Sequence, residues 1–155
     1  MSIIKILTQI SYQSFEQLME LSSVSDDSLE LNNLVQETSL KSIDMNTAWG
    51  IVDYIFNTLY QIEVIHGKCI LTETMSVCSP GEVKNTAIAL NSLSDEDIRL
   101  GLEVGRIEKQ KVYRFAWPQL CTEDKFIQLI NHCNWVKSFH LDAAAEANAI
   151  IATTY

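Results

Sequence analysis

Three features of the sequence predict an α+β domain, in which a small sheet holding the N- and C-terminal strands packs against several helices. Short β-branched runs stand at both ends of the chain, "IIKILTQI" and "NAIIATTY". Between them apolar residues recur mostly at helical spacing, and two serine-initiated motifs have the form of N-terminal capping boxes. The composition is that of a packed chain, with 155 residues, 47% hydrophobic and 20% charged, five glycines and two prolines. A chain of this length buries about two thirds of the surface that its unfolded form exposes and fits within one domain, 1–155.

The run Ile3 to Ile10, bounded by Ser11, reads as the first strand. In "SYQSFEQLMEL" the residues Tyr12, Phe15, Leu18, Met19 and Ser22 share a helical face, and Ser14 with Gln17 has capping-box spacing. From Ser22 to Ser42 the chain is polar and acidic, and Leu29, Leu31, Leu34 and Val35 allow at most a short helix in a long connection. "MNTAWGIVDYIFNTLYQI" follows as a helix, with Trp49, Val52, Tyr54, Phe56 and Leu59 on one stripe and Asn46 placed as the N-cap. "HGKC" marks a turn, and "CILTETMSV" alternates loosely, as a strand or an extended loop.

In "SPGEVKNTAIALNSL" Ser79 caps, Pro80 takes the first helical position and Glu82 closes the box, with Val83, Ala87, Ile88 and Leu90 facing inward. "SDEDIRLGLEVG" repeats the device with Ser94 and Asp97, sets acids in the first turn where the helix dipole favours them, and stops at Gly105. "KVYRFAWP" is an aromatic connector, extended ahead of Pro118. A long helix, capped by Thr122, then turns Phe126, Leu129, Ile130, Cys133, Val136 and Leu141 inward and delivers the chain to the last strand.

Charge narrows the function classes. The net charge is −9, and residues 1–60 hold two basic against eight acidic side chains. Such a surface repels phosphate backbones and anionic membranes, so neither nucleic acid nor membrane is expected as a partner, whereas a basic protein is attracted. Glu16, Glu20, Asp26, Asp27, Glu30 and Glu37 are the partner-binding candidates. No apolar run is long enough to span a bilayer, and the first residues carry no secretory signature, so a cytoplasmic protein is expected. Cys69, Cys78, Cys121 and Cys133 accordingly read as reduced thiols, mostly small apolar groups.

No signature of a nucleotide-binding loop, a zinc protease or a serine nucleophile is present. His132 and His140 are eight residues apart, about 12 Å along a continuous helix, too far to share one zinc ion. His66 and Cys69 in "HGKC" have ligand-like spacing but lack a second pair, so no metal or cofactor is expected. Cys78 precedes the Ser79 cap, where helix amides favour a thiolate, but it matches no nucleophile signature. Arg106, Lys109, Lys111 and Arg114 gather the basic charge into one anion-accepting candidate, interrupted by Glu108. Trp49, Tyr113 and Trp117 read as core anchors that join helix 46–60 to the 112–117 connector; with Asp53 they are also the pocket candidates.

Four motifs in order, "MNTAWGIVDYIF", "SPGEVKNTAIALNSLSDEDI", "VYRFAW" and "FIQLINHCNWVKSFHLDAAAEANAIIATTY", resemble the YfbM-like family of small bacterial α+β proteins, which has no assigned biochemical function. The resemblance covers most of residues 1–21 and 43–155 and implies the fold more than a reaction. The family usually has histidine where Asp53 stands, proline at Arg114 and glycine at Ala147. With alanine at 147, Asn148 becomes the residue expected to turn left-handed after the helix. Two functions follow as expectations. The first is a non-enzymatic protein-binding module, such as an immunity or antitoxin-type inhibitor of a basic toxin. The second is a small-molecule pocket protein or an enzyme of unknown reaction.

Overall fold

The computed structural model describes residues 4–46, 49–104 and 123–155. Strand β1 (Lys5–Ile10) leads into helices α1 (Tyr12–Val24) and α2 (Ser28–Thr38), and the chain returns as β2 (Lys41–Asn46). Helix α3 (Trp49–Asp53) passes without a break into a π-helical segment, Tyr54–Leu59. The hairpin β3 (Cys69–Thr72) and β4 (Met75–Cys78) is followed by α4 (Pro80–Asn91), α5 (Asp95–Val104), α6 (Glu123–Ala145) and β5 (Ala149–Thr154).

The five strands form one antiparallel sheet in the order β2-β1-β5-β4-β3. The terminal strands therefore lie side by side, with Lys5 opposite Thr154 and Ile10 opposite Ala149. Because side chains alternate across a strand, β1 and β5 must be apolar toward both faces, and two cores result. On one face Ile10, Met75, Val77, Ala149 and Ile151 pack against Leu18 of α1 and Leu31 and Val35 of α2. On the other, Leu7, Ile43, Met45, Ile150 and Ala152 meet Ile51, Phe56, Val83, Leu90, Ile98, Cys133 and Phe139 from α3 onward. The architecture is α+β, a sheet between a thin two-helix layer and a thicker helical one.

The capping chemistry at the middle helices is as the sequence predicts. Ser79 Oγ accepts from the Glu82 amide, Glu82 accepts from the Ser79 amide, and Pro80 opens α4. Ser94 and Asp97 exchange the same pair of bonds at α5. Other expectations need correction. Helix α1 is capped by Ser11, which accepts from the Ser14 amide, so Ser14 and Gln17 are not its box. The supposed long connection after Ser22 contains an 11-residue helix and an edge strand. Asn46 ends that strand instead of capping a helix.

Ile88 is 65% exposed, because it stands off the Val83–Ala87–Leu90 line that faces the core. Of the stripe assigned to residues 49–59, Val52, Tyr54 and Phe56 are buried, whereas Trp49 and Leu59 are not. Ile51 and Val52 are buried in α3, and the wider π turn buries the consecutive Tyr54, Ile55 and Phe56, leaving Trp49 and Leu59 half-buried at the rim. Trp49 is thus not the centre of the core, a place held by Phe56 and Phe139.

In α6 Leu129, Ile130, Cys133 and Val136 face inward, joined by Phe139, His140 and Ala143, while Leu141 is only half-buried. The helix ends in a Schellman motif: Asn148 N–H donates to Ala143 C=O at 2.9 Å and Ala147 N–H to Ala144 C=O at 3.2 Å. Ala147 itself, and not Asn148, takes the left-handed conformation, with φ 54°. Asn148 is buried, and its Nδ2 donates to Gln9 Oε1, while Gln9 Nε2 donates to Phe139 C=O. This polar chain fixes β1 against the end of α6. The side chain of Phe126, Thr122, Gly105 and the 112–117 connector lie outside the described residues.

Candidate functional site

The two-helix layer gathers the six acidic candidates. Leu18 on α1, with Leu31 and Val35 on α2, points at the sheet, so the opposite faces of both helices turn to solvent. Glu16 and Glu20 lie on α1, Asp26 and Asp27 in the link, and Glu30 and Glu37 on α2; all six are exposed. Asp27 Oδ1 accepts from the Leu29 amide as the α2 cap, and Glu30 accepts from Ser25 Oγ. No lysine or arginine occurs between Lys5 and Lys41. Among the described residues none of the six forms an ion pair, the pair present being Lys41–Asp142 at 3.1 Å.

A second cluster lies on the other face of the sheet, near the start of β1. Lys5 shares its strand face with Leu7 and is only 7% exposed. Its Nζ donates to Thr154 Oγ1 at 2.6 Å and stands 5.4 Å from the centroid of the Trp49 ring. Burial lowers its pKa, and the charges of Asp53 and Glu63 partly oppose that shift. Burial, with the nearby Glu63 charge adding to it, raises the pKa of Asp53. The Asp53 Oδ1 atom is buried without a hydrogen-bond partner. Glu63 is well satisfied, accepting from Asn57 Nδ2 and from the amides of Ile65 and His66, and so holds the loop that carries His66.

Two recesses share His66 as a wall. One, of about 190 Å³, is bounded by Lys5, His66, Ile70, Ser76, Ala152 and Thr154 among others. The second, about 240 Å³, reaches Glu63, Lys68, Cys78, Glu82 and Asn85. Burial and the Glu82 charge push the Cys78 thiol up to about 11, opposite to the lowering that its place before a helix suggests. Cys69, Cys78 and Cys133 are free. His132 is exposed, whereas His140 is buried with Nδ1 2.9 Å from Val136 C=O, two turns away on an unbroken helix, so the pair cannot share an ion. Among the described residues no three ligand side chains gather as a metal site.

Of the four pocket candidates the structure places Trp49 and Asp53 on α3 beside Lys5, while Tyr113 and Trp117 lie outside the described residues, as do Arg106, Lys109, Lys111 and Arg114. Lys5, Glu63 and the role of His66 were not anticipated. The signal for Lys5 was a lone cation in the apolar run "IIKIL", at a position whose strand parity points inward.

Comparison with known proteins agrees with this architecture. No curated protein sequence matches the chain. The structure is similar to the crystal structure of YfbM from Escherichia coli, a protein of unknown function, with a TM-score of 0.70 and 14% identity, over 98% of this chain and 99% of that one. At that identity the likeness concerns the fold. The family model described as a domain of unknown function, DUF1877, matches residues 1–153, so the chain belongs to this YfbM-like family.

Proposed function

We propose that the chain is a non-enzymatic protein-binding module of the immunity or antitoxin type, which blocks a basic protein through the acidic face of α1 and α2. One observation carries the reading: six exposed carboxylates, on adjacent helices and their link, with no basic side chain among them. Such a field raises the encounter rate with a cationic surface and repels phosphate and anionic lipid, so neither nucleic acid nor membrane is proposed as a partner. The free thiols of Cys69, Cys78 and Cys133 support action in the reducing cytoplasm.

The test is co-expression with the product of a neighbouring reading frame that is toxic alone. The chain should rescue growth, and a variant with all six acids replaced by their amides should not. Capture of that partner should weaken sharply between low and high salt. Binding indifferent to salt and to the six replacements would remove the basis of the proposal.

A second reading, a pocket protein for a small molecule, is favoured by a separate observation, although the recess concerned is lined by neither Trp49 nor Asp53. Lys5 is buried next to a recess, yet among the described residues no carboxylate lies within ion-pairing distance of its ammonium.

A further inference from the structure

We infer that the recess beside Lys5 binds a small monoanionic carboxylate with a short apolar tail, its head group on Lys5 Nζ and its tail along Ile70 and Ala152. The inference rests on the second reading above and names its ligand class.

An ammonium has three N–H donors, and among the described residues one hydrogen bond of Lys5 Nζ is present, to Thr154 Oγ1. The Trp49 ring offers its face to the same charge. Buried ammonium groups ordinarily have an ionic partner, because desolvation costs far more than one hydroxyl and one ring return. Asp53 and Glu63 act on Lys5 only from beyond ion-pairing distance. The recess therefore presents a cation that, among the described residues, has donors to spare, with Thr154, Ser76 and His66 around it and Ile70 and Ala152 among its walls.

That combination suits an oxyanion joined to a few carbons. The volume, about 190 Å³, limits the ligand to a small molecule. Charge sets the rest of the choice. Glu73 lies at the same recess, and the whole chain carries −9, so a phosphate dianion meets more repulsion than a carboxylate does.

Amide-resolved NMR titrations with butyrate, its neutral isostere butyramide, and inorganic phosphate test the inference on the full chain. Butyrate should produce saturable shifts at Gly67, Ser76 and residues 152–154, with phosphate at least about tenfold weaker. Lys5→Met should weaken butyrate by about tenfold or more, the loss expected for a charge-assisted hydrogen bond. Thr154→Val removes one hydroxyl at the sheet end and should weaken it severalfold; it decides the matter if Lys5→Met does not fold. Equal shifts by butyrate and butyramide would keep a pocket but overturn the anion. Tighter phosphate would overturn the carboxylate, and no shifts by any probe would overturn the second reading itself. The sixfold acidic-face variant should titrate like the wild type.

Discussion

Gly67 has no side chain because β4 leaves no room for one. A Cβ built there would lie 2.3 Å from Val77 C and 2.4 Å from Val77 O, and both are backbone atoms that cannot turn aside. The Gly67 amide meanwhile donates to Ser76 Oγ at 2.8 Å, which ties the His66 loop to the hairpin. Gly67→Ala should therefore cost about 3 kcal/mol in urea unfolding, at the upper end for overpacking, and should disturb the amides around the Lys5 recess. Ala147 presents the opposite case, an L-residue held at φ 54° at the end of α6. Glycine there removes the steric cost of the left-handed conformation but loosens the unfolded chain, so Ala147→Gly should stabilise by about 0.5–1 kcal/mol on the same measurement. Asp53 holds a buried oxygen without a donor, and its carboxyl is raised above the ordinary value of 3.8. The folded chain thus keeps its proton at a pH where the unfolded chain has lost it, and stability falls as pH rises through that range. Asp53→Asn, which mimics the protonated form, should raise stability at pH 7, with the gain vanishing at the acid end of a pH series of denaturant midpoints.

At the scale of elements, the sequence was legible where one local rule decides the outcome. Ser79, Pro80 and Glu82 open α4 and Ser94 with Asp97 opens α5, because each box is completed within four residues. The terminal strands were legible from β-branching alone. Strand β2 was missed although Ile43 and Met45 alternate with exposed Ser42 and Asp44, since as an edge strand it buries only one side and its two apolar residues sit in a polar stretch. The π segment was missed for another reason: a stripe read at 3.6 residues per turn slips out of register once the turn widens, and nothing local in "YIFNTL" announces the widening. Within α6 the periodicity gave the face but not its ionisable member. His140 is buried and its pKa is lowered to about 4 from 6.5. Between those values the unfolded chain binds a proton that the folded chain refuses, so the contribution is full above pH 6.5 and is lost as pH falls toward 4. The loss amounts to about 3 kcal/mol, and His140→Leu should flatten the dependence of unfolding free energy on pH over that interval. An equal slope in both proteins would mean that another group titrates there.

For the whole molecule, the fold class followed from the two end strands, but the candidate sites did not, because they are made by layers. Neither Lys5 nor Thr154 means anything alone; the antiparallel pairing of the first and last strands sets them opposite each other across 149 residues. Likewise the six acids were visible one by one, whereas only the packing of α1 and α2 on the same sheet face turns them into a single surface. That arrangement has a cost that can be measured without a partner. Like charges within one layer repel, and the repulsion is absent once the chain unfolds and the helices separate, so the folded state is the one that salt relieves. At about 0.01 M salt the screening length is roughly 30 Å, long enough for all six to act on one another, and at about 0.1 M it is roughly 10 Å, when only neighbours such as Glu16 and Glu20 still do. The midpoint of thermal unfolding should rise with sodium chloride over this range. The sixfold amide variant should start higher at low salt and show less than half of the wild-type slope. Parallel salt dependence in the two proteins would show that the −9 is spread too widely for the α1–α2 layer to act as a unit, and a partner drawn by that layer would lose its physical basis.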